Sequence, residues 1–448
     1  MPQVVQKITK QIDEQQRYRD SIVGLDVKVP IGRGKYATEI NLDNAATTPP
    51  FKAVMDDVHN FSSWYASIHR GAGYKSRVSS QVYEEARKAV ERFVGADSEL
   101  DSVIFTKNTT ESINLLADVL AENNQNEVIL STCMEHLAND LPWRKRFKTE
   151  YVKVDEKGNL LLEDLENKLI KNRGKVRLVT VAGASNVTGL INPIYEIARI
   201  AHRYGAEICV DGAQWVPHIP VNMGEHHSDE HIDYLAFSAH KMYAPFGVGV
   251  LVGKRNTFEQ ANPMLYGGGA ARLVSHDFID WENPPDKDEA GTPNVIGVKA
   301  LTSAIHQLTD MNMLEIHKRE SDLIDYTIEQ LKSVPNIILY GDYDNKKRVS
   351  VISFNLNGIE HSILAEIMST QGGIAVRNGL FCAHPYVMQL LQISNEEIEY
   401  YHKNKRVQLP GMVRVSLGLY NNQEDIDQFI EALRKISRNK GYFLKKFK

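Results

Sequence analysis

From about residue 100 onward, short apolar runs alternate with longer amphipathic stretches. The runs at 102–106, 127–131, 150–154, 176–182, 207–210, 233–237 and 248–252 have strand length and apolar character, and they read as seven strands. Between several of them the apolar residues recur at helical spacing. One helix is predicted over 194–204, with Asn192 as its N-cap, Pro193 at the first position and Gly205 past the end. Strands alternating with helices in this way predict an α/β fold around a buried, mostly parallel sheet.

The flanks read differently. Val4, Val5, Ile8 and Ile12 lie at helical spacing within residues 3–19. Asp43-Asn44 and the two prolines at 49 and 50 mark a turn after a short strand. Residues 51–65 look helical, 67–74 form a polar glycine-bearing loop, and 80–93 form an amphipathic helix stopped by Gly95. Past residue 296, helices are predicted at 296–311, 314–333, 362–371 and 423–436, with strands at 337–340 and 348–356 and near 374–377. This divides the chain into a large domain over 38–296, a smaller α+β domain over 297–448, and an N-terminal helix and arm over 1–37 that packs on the small domain. The basic tail 438–448 is expected to be a solvated end.

In parallel sheets, ligands bind at the carboxyl ends of the strands, so the residues that follow each strand carry the functional signal. The 233–237 strand runs into Ser238-Ala-His-Lys241, which puts an amine at the end of a buried element. Burial disfavours the ammonium form, and a lysine so placed can form a Schiff base. The 207–210 strand runs into Asp211-Gly-Ala-Gln214. A carboxylate there costs free energy unless something pairs with it, and a protonated ring nitrogen would be such a partner. After 102–106 come Asn108, Thr109, Thr110 and Glu111. That spacing suits a capping box, and equally a phosphate seat on a helix N-terminus. His136, after 127–131, is either a capped loop histidine or a ring lying against an aromatic ligand. Asn186 either donates to a ligand or holds its own turn.

Composition narrows the class without choosing the chemistry. The 448 residues are 42% hydrophobic and 24% charged with a net charge of −5, enough for a large core and two domains, and without the basic excess of a nucleic-acid binder. No apolar run is long enough to span a membrane, and the first residues lack a signal-peptide core. Cys133, Cys209 and Cys382 show no paired spacing, so a reducing, cytoplasmic setting is expected. Glu225-His-His-Ser-Asp-Glu-His231 is rich in potential metal ligands but lies in a polar loop before a strand, and no metal is expected. The glycines at 247, 249 and 253 match neither nucleotide-loop spacing.

Taken together, these residues resemble the fold-type I pyridoxal-phosphate enzymes, and among them the class V aminotransferase-type cysteine desulfurases and selenocysteine lyases of the group II type. The resemblance spans roughly residues 38 to 435. It is carried by Leu42-Asp-Asn-Ala-Ala-Thr-Thr48, Ile68-His-Arg-Gly71, Phe105-Thr-Lys-Asn-Thr-Thr-Glu-Ser-Ile-Asn-Leu115, Met134-Glu-His136, Asp211-Gly-Ala-Gln214 and Phe237-Ser-Ala-His-Lys241. It continues in Gly267-Gly-Gly269, Glu289-Ala-Gly-Thr-Pro-Asn294, Arg377-x-Gly-x-x-Cys382-Ala-x-Pro385 and Val413-Arg-Val-Ser416. By resemblance, Lys241 binds pyridoxal 5'-phosphate covalently, Asp211 pairs with the ring nitrogen, His136 stacks on the ring and Gln214 bonds its hydroxyl. Thr109, Thr110, Ser238 and His240 hold the phosphate, joined by Thr292 from a second subunit of a homodimer. Arg414, with Asn186 and Arg377, receives the substrate carboxylate.

The resemblance further implies conversion of L-cysteine to L-alanine with a persulfide on Cys382, a sulfur-acceptor protein, and a place in iron–sulfur cluster assembly. The alternatives are a selenocysteine lyase, or a class V enzyme without persulfide chemistry: a C–S lyase, an epimerase or an aminotransferase. Two features set this chain apart from the pattern. Phe381 stands where relatives often carry histidine, and the segment between Cys382 and Arg414 is longer, with a polar stretch at 394–405.

Overall fold

The computed structural model describes residues 16–32, 34–122 and 126–447. At its centre lies a seven-stranded sheet. In chain order the strands are β1 (Asp101–Thr106), β2 (Val128–Thr132), β3 (Lys148–Val152), β4 (Val176–Ala182), β5 (Glu207–Asp211), β6 (Tyr234–Ser238) and β7 (Gly249–Lys254). Their order across the sheet is β1-β7-β6-β5-β4-β2-β3. Only β7 runs against its neighbours; the other pairings are parallel. This is the α/β architecture expected.

The sheet is covered on both faces, which explains why its strands read as nearly continuous apolar runs. Alternate residues serve opposite cores. Val103, Phe105, Leu235, Phe237, Val250 and Val252 join one core, with Tyr83 and Val90 of helix Tyr74–Val94 and Val298 and Leu301 of helix Val295–Asp310. Ile104, Tyr234, Ala236 and Leu251 join the other, with Ile113 and Leu116 of helix Thr109–Ala121.

A second, antiparallel sheet lies in the C-terminal part. Its strands are β8 (Ile337–Tyr340), β9 (Val351–Leu356), β10 (Arg377–Gly379) and β11 (Met412–Ser416), ordered β8-β9-β11-β10. Helices His361–Gly372 and Gln423–Arg438 pack on it through Leu364, Met368, Phe429 and Leu433. The segment after Ile40 ties the two sheets together. Ile40 pairs with Ile374, Asp43 bridges Ser416, and Thr48 N–H then donates to the His240 carbonyl at 3.0 Å.

Several elements differ from expectation. Helix Tyr74–Val94 begins at Tyr74, with Gly73 as its N-cap, rather than at residue 80. Asn192 does not cap: its amide donates to the Ala182 carbonyl at 2.7 Å, and helix Ile194–Arg203 starts from Pro193. The basic tail is not simply solvated, because helix Lys440–Phe447 buries Phe443 at 4% exposure against the C-terminal core. Strand β11 was not anticipated, since a buried arginine at its centre interrupts the apolar pattern. The expected helix over 3–19 lies largely outside the described residues. Where description begins, Arg19 pairs with Asp425 at 2.9 Å while Ile22 bridges Phe51, so the arm touches both halves of the molecule. The polar stretch at 394–405 folds as helix Asn395–Lys403, closed by a capping box between Ser394 and Glu397. Among the described residues, no helix is long and apolar enough to cross a membrane.

The edge strand β1 is tied down by a buried ion pair. Glu289 accepts from Phe105 N–H at 2.6 Å, from Tyr83 Oη at 2.7 Å and from both terminal nitrogens of Arg87 at 2.8 Å. Glu289→Ala strands a buried guanidinium and is expected to cost about 3–5 kcal/mol of stability. A chemical-denaturation midpoint matching that of the parent chain would contradict this role.

Candidate active site

The carboxyl ends of β1, β4, β5 and β6 open into a cavity of about 310 Å³. Its wall includes Thr109, Thr110, His136, Asn186, Asp211, Gln214, Ser238, His240, Lys241, Arg377, Cys382 and Arg414. The sequence nominated thirteen site residues, and Thr292 is the one that does not line this cavity. Thr292 is exposed, on a segment where Gly291 N–H donates to the Gly268 carbonyl at 2.7 Å.

Lys241 reaches the cavity through a single 3-10 turn, Ala239–Lys241, that directly follows β6. All five residues of β6 are buried, so the turn has a rigid base. Among the described residues, the Lys241 amine makes no hydrogen bond and no ion pair. Burial pushes its pKa down to about 8, assisted by Arg414 and opposed by Asp211 and Cys382. Asp211, last residue of β5, is 5% exposed. Burial raises its pKa; the Ala213 N–H, donating at 3.0 Å, and Lys241 pull it back.

The helix Thr109–Ala121 points its N-terminus at the cavity. Asn108 caps it by accepting from Glu111 N–H, and the Glu111 carboxylate accepts from Lys107 N–H, so the capping reading is correct in part. The cap leaves the anion seat intact. Ser238 Oγ accepts from Thr109 N–H at 2.8 Å and lies 2.6 Å from Thr109 Oγ1, gathering hydroxyls over free helix donors. Gln214 donates to the Ala45 carbonyl at 2.6 Å. His136 Nδ1 accepts from Ala138 N–H at 3.0 Å, which places any proton of the neutral ring on Nε2. Burial, then Lys241 and Arg414, push His136 down to about 4. Burial and Lys241 do the same to His240.

Opposite Lys241, Arg414 projects from the middle of β11. It is 3% exposed, donates to the Asn186 carbonyl at 3.0 Å and pairs with Asp43 at 3.2 Å. Its Nε is buried without a partner. Burial lowers it to about 10, against the pull of Asp43. Arg377 pairs with the same Asp43 at 2.9 Å. Cys382 is exposed, between buried Phe381 and Ala383. Its carbonyl accepts from Leu137 N–H at 2.7 Å, and the Phe381 carbonyl accepts from the Asn186 amide at 2.8 Å.

An unpaired amine with lowered pKa, a buried carboxylate across from it and a hydroxyl-lined helix N-terminus suit the aldehyde, ring nitrogen and phosphate of pyridoxal phosphate. The sequence profile of the aminotransferase class-V family matches residues 40–429. The chain is 34% identical over 420 residues to a cysteine desulfurase of Haloferax volcanii, covering 92% of each. It is 34% identical over 412 residues to a probable cysteine desulfurase of Halalkalibacterium halodurans, covering 90% of this chain and 94% of that one. The chain belongs to the class-V aminotransferases, in their cysteine desulfurase family. A solved apo cysteine desulfurase of Thermococcus onnurineus superposes with a TM-score of 0.80 at 33% identity, over 89% of this chain and 95% of that one. The cysteine desulfurase CsdA of Escherichia coli gives 0.77 at 28%, over 94% and 98%. The family is pyridoxal-phosphate dependent, and the fold is that of the fold-type I enzymes.

Three residues that line or brace this desulfurase-family cavity go unnamed as site residues in the sequence reading. Asp43 was read as a turn, though it joins both arginines. Glu135 is fully buried and accepts from Thr132 Oγ1, Asn139 Nδ2 and Ala182 N–H at 2.5, 2.6 and 3.0 Å; burial raises its pKa to about 8. Its signal was present, because a carboxylate three residues past a buried strand needs partners, as argued for Asp211. Phe381 lies under the Arg414 guanidinium, 5.0 Å from ring centroid to cation.

His136 and His240 have folded pKa values below the ordinary histidine range. Between about pH 6.5 and 4 the unfolded chain therefore binds more protons, and stability falls with acid across that window. His136→Gln is expected to flatten the loss of denaturation free energy between pH 7 and pH 5. An unchanged slope would show that His136 titrates normally.

Proposed function

We propose that this chain converts L-cysteine to L-alanine and carries the released sulfur as a persulfide on Cys382. The observation that carries the reading is that Lys241, Arg414 and Cys382 face one cavity. Bound pyridoxal phosphate supplies the electron sink that stabilises a carbanion at the substrate Cα. Thr109, Thr110, Ser238 and His240 would hold its phosphate, Asp211 its ring nitrogen, Gln214 its hydroxyl and His136 its ring face.

The chain's residues then divide the work. Arg414, oriented by Asp43 and the Asn186 carbonyl, receives the substrate carboxylate, with Arg377 beside it. Lys241, with its pKa brought down to about 8, has roughly a tenth of its amine unprotonated at pH 7, far more than an ordinary lysine, and takes the proton from Cα. The Cys382 thiolate attacks the substrate sulfur: an S–S bond forms, the C–S bond breaks, and the electron pair of that bond takes a proton at Cβ to leave alanine. The cavity is small and the arginine buried, which favours a short amino acid over a bulky one.

The remaining attributes belong to the same proposal. Exposed Leu265, Tyr266, Leu273, Val274, Phe278 and Ile279 surround the 267–269 glycines and the hairpin of Ala271–Val274 and Ile279–Trp281, near Thr292 in sequence. They support a homodimer in which Thr292 completes the partner's phosphate seat. The large domain over 38–296, the small domain over 297–448, a cytoplasmic location, a sulfur-acceptor protein and a role in iron–sulfur cluster assembly complete it.

Lys241→Ala is expected to lower alanine formation from cysteine by about 10²–10⁴-fold. Cys382→Ala is expected to keep the cofactor's visible absorbance but form no protein persulfide and little alanine. Alanine production at the parent rate in Cys382→Ala would replace the persulfide route with direct C–S lysis. Light scattering on the purified chain is expected to give twice the monomer mass; a monomer carrying full activity would remove Thr292 from the site.

A further inference from the structure

The loop between β5 and β6 closes on itself at the opposite end of the sheet from Lys241. Met223 N–H donates to the Val94 carbonyl and Ile232 N–H donates to the Met223 carbonyl, both at 2.8 Å. Within that closure, Gly224 takes a left-handed conformation with φ +80°. Its carbonyl lies 3.0 Å from His231 Nδ1. This contact assigns the ring proton to Nδ1 and leaves Nε2 with a free lone pair. His231 is 2% exposed, and its Nε2 is buried without any partner. A buried acceptor left unpaired is rare and costs free energy.

Two further donors stand beside it. The His226 ring lies 4.1 Å from that of His231, centroid to centroid. His226 Nε2 is 3.0 Å from Asp101 Oδ1, and Asp101 Oδ2 accepts from Asp97 N–H at 2.9 Å. One donor atom from each of Asp101, His226 and His231 lies within 4.8 Å of the other two. Among the described residues, this is the one trio of His, Cys, Asp or Glu side chains that converges in this way.

We propose that Asp101, His226 and His231 bind one divalent cation of the zinc class. Two imidazoles and one carboxylate suit a borderline ion rather than calcium or magnesium, which take oxygen ligands. Bonds of about 2.0–2.1 Å place the donors of a tetrahedral ion roughly 3.3 Å apart. The Asp101–His226 pair already has that spacing, and His226, at 20% side-chain exposure on the loop, can move to close the rest. Water takes the fourth position. The ion replaces the proton shared by His226 and Asp101, which passes to solvent.

Such a site is structural. Asp101 opens β1 and His231 lies just ahead of β6, whereas the cavity lies at the far ends of both strands. Five residues of strand separate the two ends by roughly 17 Å. The ion would pin the β5–β6 loop to the edge strand without touching the chemistry. The sequence treats this loop as solvated because Asp101, 125 residues away from His226, is invisible to it.

Calorimetric titration of the holoenzyme with zinc chloride tests the site. One saturable equivalent is expected in the parent chain and in Cys382→Ser, which excludes capture by the exposed thiol. His231→Ala and His226→Ala are each expected to weaken it by more than the roughly 10–100-fold that loss of an outer-shell partner costs. No saturable binding to the parent chain, or parent affinity in the histidine variants, overturns the proposal. If His231→Ala does not fold, the more exposed His226→Ala decides the matter alone.

Discussion

An amine held away from water is the constraint around which this molecule is organised. Lys241 arrives in the cavity because β6 is buried throughout and ends there, and burial brings its pKa down to about 8. A second cation, Arg414, faces the same space and lowers the Lys241 pKa further, while Arg377 does the same to Arg414. Two carboxylates from different parts of the fold answer them. Asp211 ends β5 and raises the affinity of Lys241 for its proton; Asp43 does the same for Arg414. The balance leaves an amine that can exist in either protonation state near neutrality, which is what a group that both bonds to a carbonyl and moves protons requires.

Asp43 extends that balance into architecture. Arg377 and Arg414 are opposite one another in register on β10 and β11, and one carboxylate reaches both. The backbone at Asp43 bridges Ser416 on the same small sheet, and five residues later Thr48 donates to the carbonyl of His240, beside Lys241. The two arginines and the lysine turn are thus joined through six residues of chain. On the proposed function, a substrate carboxylate entering the cavity would meet guanidinium groups already oriented, so less ordering remains to be done on binding.

What the sequence disclosed follows from what leaves a local mark. Buried parallel strands give apolar runs, and the residues that follow them line the cavity, so Lys241, Asp211, Thr109 and His136 could be placed there from the sequence alone. Contacts that cross the chain left none. Asp43 meets Arg414 across 371 residues, and a local reading found only a turn. Strand β11 was hidden because its central residue is a buried arginine, a choice that serves the site and breaks the pattern. Helix Tyr74–Val94 was read short at its start, because Tyr74 and Lys75 are exposed there and add no apolar period. The basic tail misled in the opposite way: Lys445 and Lys446 are exposed, yet Phe443 beside them is buried.

The loop that bears Cys382 shows how a rigid frame shapes the proposed sulfur transfer. Phe381 and Cys382 have φ of 49° and 53°, two consecutive non-glycine residues in the left-handed region. Such conformations cost about 1–3 kcal/mol each and persist only where the surroundings enforce them. Here Leu137 and Asn186 hold the two carbonyls, and Leu380, Phe381, Ala383, Tyr386, Val387 and Met412 form a separate small core beneath the loop. A thiol mounted this way does not swing out to deliver its cargo. On the proposed function, the substrate sulfur must be brought to Cys382 inside the cavity, and an acceptor must come to the exposed face of the same residue. On that proposal, rigid mounting assigns the motion in sulfur transfer to the acceptor rather than to this chain.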